Sequence, residues 1–299
     1  MKPLLWVGLC MSSLVLGVCL WAALRDPTAA TVTYENPTGQ YLPPSTEHPL
    51  GLDRNGRDIL SRLVHSTRAF LGPGLLASAL GVLLGVGGGV VRGWYQGLPG
   101  RMAGIVLAAV DSVPRLALIL LATAAFKGRM WAVATALAVS YAPTVANEVH
   151  GRIALFRQEE FIAAARALGL SSAQILFLHI LWLNSRQLLM KWAAFLFGSF
   201  ILVETSLSYL GTIEGSASIG VAEPLPSLGN MLARAKDTLL TEVWPALIPV
   251  LAIMFSIVAF LLLAEGLGEH GAVGGRRGGH GGRGLSDGHT GERTANSDR

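Results

Sequence analysis

Charged side chains are scarce in this sequence of 299 residues. They make up 14% of the chain, whereas 52% of its residues are hydrophobic. A soluble domain usually carries about 25% charged residues, so this composition argues against an ordinary soluble protein. Several apolar segments instead approach the roughly 20 residues that a helix needs to cross a bilayer. We therefore predict an all-α membrane protein.

Cysteine is nearly absent as well. Cys10 and Cys19 are the only two, and both lie in the first apolar segment. Nine residues of helix would separate them by roughly 13 Å and place them on opposite faces. Disulfide geometry forbids a bond across that separation, so both are predicted to be free thiols that pack in the core.

Sequence motifs of catalysis are also missing. The chain has no G-x-x-x-x-G-K-[ST], H-E-x-x-H or C-x-x-C, and no carboxylates are paired as in a metal site. The run GVGGGV at 85–90 lacks the lysine of a phosphate-binding loop and is predicted to let helices approach closely. We therefore predict a protein that is not an enzyme and holds no cofactor or metal. Another subunit would supply any energy that it uses.

The apolar segments predict six membrane-spanning helices. The first occupies residues 1–24, and residues 25–68 form an extracytoplasmic loop that ends in a short interfacial helix. A five-helix core follows over 69–265, with spans predicted at 69–91, 102–126, 130–148, 188–210 and 244–265. The Gly-rich remainder, 266–299, has almost no apolar residues and is predicted to be a disordered tail.

Basic residues decide the predicted orientation. Six spans place both termini on one side, and the distribution of Lys and Arg favours the cytoplasm for that side. Basic residues of the outer loops are balanced locally by acids such as Asp53 and Asp58. The tail run GGRRGGHGGRG resembles RNA-binding and metal-binding tracts, but it lacks aromatic residues. We expect a solvated tail that contacts anionic lipid, and no nucleic acid.

A soluble-looking segment lies between the fourth and fifth spans. The orientation makes residues 149–187 cytoplasmic, and residues 159–180 read EEFIAAARALGLSSAQILFLHI. A helix is predicted from Glu160 to Leu168. Gly169 would end it, because glycine readily takes the left-handed conformation beyond a helix end.

A second helix is predicted directly after that turn. Ser171 and Gln174 have the S-x-x-Q spacing of a capping box. The first helix carries three small alanines, which let another surface come close: Ala163, Ala164 and Ala165. The pair is therefore predicted to be a docking element on the cytoplasmic face.

Ionisable residues inside membrane spans are costly and are candidates for function. Asp111 and Arg115 lie four residues apart in the third predicted span, so they could neutralise each other on one helix face or line a pathway. Glu204 has no obvious local partner, which favours a bundle interior or a cavity. Glu148 ends the fourth span.

Together these segments resemble the permease subunits of ABC importers. AAARALG at 163–169, followed by HILW at 179–182, resembles the family signature EAA-x3-G-x9-I-x-LP. Three further segments resemble C-type permeases of the dipeptide, oligopeptide and nickel importers: HPLGLDRNGRDILSRL at 48–63, ETSLSYLG at 204–211 and PSLGNML at 226–232. The ordered match runs from about 40 to 268.

The resemblance implies a type I ABC-importer permease fold with a cytoplasmic coupling helix. It implies that Ala163, Ala164, Ala165 and Gly169 contact an ATPase subunit. The implied partners are a second permease subunit, one or two ATPases and an extracytoplasmic substrate-binding protein. The implied location is the bacterial inner membrane, and the implied substrates are di- or oligopeptides, or nickel.

Two departures keep other functions open. Ala163 replaces the glutamate of the family signature, and Trp182 replaces its proline. These changes are the support for a degenerate, permease-like scaffold. The other alternative is a self-sufficient secondary transporter, in which the charged residues Asp111, Arg115 and Glu204 would relay ions or protons.

Overall fold

The computed structural model describes residues 3–24, 32–36, 41–95, 97–211, 227–236 and 242–277. Over these residues the chain is helical, and its paired extended backbone is limited to isolated antiparallel bridges within 33–58. The predicted all-α class is confirmed.

The described part of the chain forms ten α-helices and one π-helical segment. In chain order these are α1 (Pro3–Ala23), α2 (Ile59–Trp94), α3 (Leu98–Asp111), α4 (Arg115–Ala125), α5 (Met130–Phe156), α6 (Glu160–Ala167), α7 (Ser172–Gln174), the π-helical segment (Ile175–Asn184), α8 (Ser185–Tyr209), α9 (Leu228–Ala235) and α10 (Trp244–Arg277).

Within the described residues, four helical stretches are long and apolar enough to cross a membrane. They are α1, α2, the continuous helix Ser172–Tyr209 and α10. A fifth span results if α3 and α4, which meet at an angle of 78°, count as one broken span. The membrane character is confirmed, and six spans remains a prediction.

The fourth predicted span, 130–148, corresponds to α5, which is long enough at 27 residues but less apolar than the helices counted above. Much of α5 is buried, including Val133, Leu137, Val145 and Val149. A helix that is surrounded by protein needs fewer apolar side chains than one that faces lipid. This explains why its sequence carries a weaker membrane signal.

The predicted boundaries differ from the structure in three places. The interfacial helix is not separate, because α2 runs without a break from Ile59. The third span is broken between Asp111 and Arg115. The predicted tail is helical as far as Arg277, and residues 278–299 lie outside the described part of the chain. At Gly266, α10 packs closely against α1, because a Cβ there would lie 2.7 Å from Cα of Leu5.

Glycines bring α2 against α5. A Cβ on Gly85 would lie 2.4 Å from Cβ of Val145, and a Cβ on Gly89 would lie 2.7 Å from the carbonyl oxygen of Ala146. Small residues allow such close approach of helix backbones in lipid. The packing role predicted for GVGGGV is confirmed.

Aromatic side chains fill the centre of the bundle. Phe70 of α2, Phe197 of α8 and Phe260 of α10 are buried, and Phe197 lies edge-on to Phe70 with ring centroids 6.3 Å apart. In α1 both cysteines are free, as predicted, and Cys19 is buried. Cys10 is exposed, so the prediction that it packs in the core is wrong.

Candidate functional site

The predicted docking element begins just after α5. Gly169 follows the end of α6 with a φ of +78°. The backbone N–H of Leu170 donates to the carbonyl oxygen of Ala165 at 3.1 Å, as in a Schellman motif. The predicted end of the helix at Gly169 is therefore confirmed. Glycine suits this position, because a residue with a side chain would be strained at this positive φ.

One face of α6 is buried and another is exposed. Ile162 and Ala165 are 3% and 7% exposed and belong to one core with α5 and the π-helical segment. Ala164 and Gly169 are exposed. Ala163 belongs to α6, and its side chain lies outside the described part of the structure. Among the predicted docking residues, Ala164 and Gly169 are therefore accessible, whereas Ala165 anchors the helix.

The capping box that was predicted for the second helix is present. Ser171 Oγ accepts a hydrogen bond from the backbone N–H of Gln174 at 3.3 Å, and Gln174 Oε1 accepts one from the backbone N–H of Ser171 at 2.9 Å. These bonds satisfy two N–H groups at the start of the helix.

A π-helical segment, which the sequence patterns did not predict, continues the chain after this cap. Its buried residues recur every five positions, at Ile175 and Ile180, and Ser185 at the start of α8 continues the series. This spacing matches the i→i+5 hydrogen bonding of a π-helix. Trp182, which stands where the family has proline, is 64% exposed. The segment joins the docking element to α8 without a loop.

A polar contact ties α5 to α8 near the docking element. Glu148 accepts a hydrogen bond from Trp192 Nε1 and lies 3.6 Å from Lys191 Nζ. Both α5 and α8 flank the docking element in the chain, so this contact holds its two ends together.

The third predicted span is broken between Asp111 and Arg115. Pro114 precedes the first residue of α4, lacks an N–H group and disfavours a helical conformation at Val113. The bend of 78° removes the one-turn stacking of Asp111 and Arg115 that a continuous helix requires. Their predicted neutralisation on one helix face is therefore wrong.

Arg115 is engaged by α5 instead. Its guanidinium donates to Thr144 Oγ1 at 2.8 Å and lies 4.4 Å from the ring centroid of Tyr141, which is a cation–π distance. Asp111 and Arg115 are both exposed. The exposed carboxylate of Asp111 and the exposed guanidinium of Arg115 therefore lie on either side of the bend, on two helices that point in different directions.

Glu204 is fully buried, in the interior of the bundle. Its carboxylate accepts hydrogen bonds from Ser208 Oγ at 2.8 Å and from Thr205 Oγ1 at 3.4 Å. Ser227, which caps α9, also hydrogen-bonds to it through its side chain. The expectation of no local partner was wrong, since Ser208 lies one turn further along α8. The expectation of a bundle interior is confirmed.

The segment before α2 and the first turn of α2 form a buried charged cluster that the sequence predicted only as a balance of charges. Asp53 Oδ2 accepts a hydrogen bond from Arg57 Nε at 2.8 Å and lies 3.7 Å from Arg62 Nε. Arg57 and Arg62 are 2% and 3% exposed. Asp58 caps α2 and lies 3.3 Å from His48 Nδ1. The predicted local balance is confirmed.

This cluster also reaches α9 and the start of α10. A small cavity of about 20 Å³ is lined by Tyr41, Arg62, Arg234 and Pro245, among others. Burial, together with the nearby carboxylate of Asp53, raises the pKa of the Tyr41 phenol above its usual range. The segment HPLGLDRNGRDILSRL was the sequence signal for this cluster, but its contact with α9 depends on the fold.

The chain is similar to permease proteins of peptide transport systems. It is 30% identical over 254 residues to the glutathione transport system permease protein GsiD of Pectobacterium atrosepticum, a match that covers 85% of this chain and 81% of that protein. It is 29% identical over 265 residues to the dipeptide transport system permease protein DppC of Alkalihalophilus pseudofirmus, covering 87% and 83%. It is 30% identical over 251 residues to the probable D,D-dipeptide transport system permease protein DdpC of Escherichia coli, covering 83% and 78%. No protein-family model matches the chain.

Proposed function

The chain belongs to the family of ABC-importer permeases, and from this premise we propose that it forms, with a second permease subunit, a pathway for di- or oligopeptides across the bacterial inner membrane. A separate ATPase would hydrolyse ATP, and an extracytoplasmic binding protein would deliver the substrate. Both termini would lie in the cytoplasm. The relatives' names refer to glutathione and dipeptides, which supports a peptide substrate over nickel.

The observation that carries this proposal is the helix pair between α5 and α8. Ala164 and Gly169 form an accessible surface of small residues, and a Cβ on Gly169 would meet nothing within 4 Å. An ATPase surface can therefore approach the backbone closely here. The buried Ile162 and Ala165 attach α6 to α5 and the π-helical segment, so a push on α6 would move both neighbouring helices.

The pathway candidates differ in how well their positions suit contact with a substrate. Asp111 and Arg115 are exposed at the bend between α3 and α4, where they could meet the amino and carboxylate groups of a peptide. Glu204 is buried and hydrogen-bonded, which favours a role in holding α9 against α8. We therefore assign the pathway to Asp111 and Arg115.

The second candidate function is that of a secondary transporter. Such a protein would use the exposed charges of Asp111 and Arg115 to relay ions or protons. Such a protein would transport without an ATPase. The degenerate scaffold remains the third candidate, on the strength of Ala163 and Trp182. Recovery of partner subunits separates the importer from both alternatives.

The test is affinity purification of the tagged chain from its native membranes, with partners identified by mass spectrometry and peptide uptake measured in parallel. The wild-type chain is expected to recover an ATPase and a second permease. Gly169→Val should lose the ATPase by at least tenfold and lose uptake, because valine is strained at a φ of +78°.

The control is Gly151→Val at the exposed end of α5, where a Cβ also meets nothing within 4 Å and φ is not positive. It should keep both the ATPase and uptake. Equal ATPase recovery and uptake by the two variants would contradict the assignment of the docking surface. Recovery of the wild-type chain alone would contradict the importer function.

A further inference from the structure

An open groove lies where the end of α2, the beginning of α3 and the end of α5 meet. Its volume is about 670 Å³, within the roughly 300–1,000 Å³ that is usual for ligand sites. The side chains that matter most along it are Arg92, Arg101, Ile105, Ala108 and His150. Neither the docking element nor the bend at Pro114 uses this groove.

One end of the groove is cationic. Arg92 and Arg101 are exposed, and the Arg92 guanidinium is oriented by a hydrogen bond of 2.5 Å to Asn147 Oδ1. His150 lies beside them, and its Nδ1 is buried without a hydrogen-bond partner among the described residues. No acidic side chain is among the described residues that line the groove. This end therefore suits a phosphate group.

The other end is apolar. Along α3 the lining passes from Arg101 to Ile105, which is 61% exposed, and then to Ala108. Seven residues of helix carry it about 10 Å from the charged end. Gly104 has no side chain that could obstruct the groove between its two ends. A Cβ at this position would lie 3.6 Å from the side chain of Arg92. A free phosphate would use the first end alone.

We propose that this groove binds one anionic phospholipid, with its phosphate between Arg92 and Arg101 and an acyl chain along Ile105 and Ala108. The groove supplies a cationic end and an apolar end in the order that such a lipid presents them. Anionic headgroups are attracted by basic residues at the cytoplasmic surface, where the proposed orientation places the end of α2. The site depends on the position of these helices in the bilayer and not on transport.

The test uses the full chain, purified with its partner subunits from native membranes and placed in nanodiscs. Photoactivatable phosphatidylglycerol and photoactivatable phosphatidylcholine are compared as probes, and cross-linked peptides are mapped by mass spectrometry. Phosphatidylglycerol is expected to label residues 95–108 at least tenfold more than phosphatidylcholine does. The double variant Arg92→Gln, Arg101→Gln should lose this labelling by roughly tenfold or more, because each basic residue near the surface contributes about 1 kcal/mol.

Two further variants separate a shaped site from general attraction to basic residues. Gly104→Leu keeps every cation but fills the groove, and it should also lose the labelling. Arg186→Gln removes an exposed cation of α8 outside the groove and should keep it.

Three results would overturn the proposal. Labelling that survives Gly104→Leu would mean that the groove itself is not the site. Loss of labelling on addition of millimolar inorganic phosphate would identify a simple phosphate site. Absence of labelled peptides from 95–108 in the wild-type complex would show that anionic lipid does not occupy the groove. Because the readout is lipid binding, failure here leaves the proposed function untouched.

Discussion

Glu204 shows how a charged residue is accommodated in the middle of a helical bundle. The Ser208 hydroxyl one turn away and the cap residue of α9 both donate to its carboxylate. Gly229 of α9 makes this possible, because a Cβ there would lie 2.4 Å from the carbonyl oxygen of Thr205. Glu204 therefore joins α9 to α8 rather than offering a free charge.

Glu204→Ala should lower the free energy of unfolding by about 1–3 kcal/mol, because the buried hydroxyls of Ser208 and Ser227 lose their acceptor. Glu204→Gln keeps an acceptor oxygen and nearly the same volume, so its loss should be less than half as large. The measurement is the thermal unfolding midpoint in detergent. An alanine variant as stable as the wild type would contradict the structural role.

At the scale of elements, the contact between α2 and α5 depends on which glycines face the neighbouring helix. Gly85 and Gly89 face α5 closely, whereas a Cβ on Gly87 would meet nothing within 4 Å. The three therefore look alike in the sequence run GVGGGV but have different surroundings. Because an α-helix makes one turn every 3.6 residues, Gly85 and Gly89 lie on the same face of α2, whereas Gly87 lies on a different face.

Gly89→Ala should lower the free energy of unfolding by about 1–3 kcal/mol, since its Cβ would lie 2.7 Å from a backbone oxygen that cannot move easily. Gly87→Ala, the matched control, should leave stability unchanged or raise it slightly, because alanine favours a helix over glycine. Thermal unfolding of both purified variants tests this. Equal midpoints would show that α2 and α5 do not pack this closely.

At the scale of the whole molecule, the charged cluster and the docking element lie at opposite ends of the described bundle. The buried cluster around Asp53 and Arg62 lies at the start of α2, whereas α6 follows the end of α5, and α2 and α5 run in the same direction. Between them, exposed side chains such as Leu116 and Leu121 cover α4 with apolar surface, at 70% and 71% exposure. Lipid or a second permease would cover this surface, and the two polar ends would face opposite sides of the membrane.

The proposed orientation is tested with single cysteines in a chain carrying Cys10→Ser and Cys19→Ala. Thr46→Cys, at an exposed position of the segment that the proposal places outside, should react with a membrane-impermeant thiol reagent on intact cells from which any outer barrier has been removed. Ala167→Cys, at the exposed end of α6, should react only after the membrane is opened. The reverse pattern would contradict cytoplasmic termini.

Local sequence chemistry predicted the features that depend on a few neighbouring residues. The stop at Gly169, the capping box at Ser171 and the close packing at 85–90 each follow from the conformational freedom, hydrogen-bonding groups or size of the residues present. The family resemblance was equally readable, because its motifs are contiguous. These features needed no knowledge of the rest of the chain.

Only the tertiary structure decided the features that depend on distant neighbours. It decided that much of α5 is buried by protein and that Arg115 contacts Tyr141 and Thr144. It also decided that the docking element continues through a π-helical segment into α8. It also made the groove beside Arg92 and Arg101 from three separate helices. The physical reason is that local conformation depends on adjacent residues, whereas burial and the pairing of charges depend on which surfaces the fold brings together.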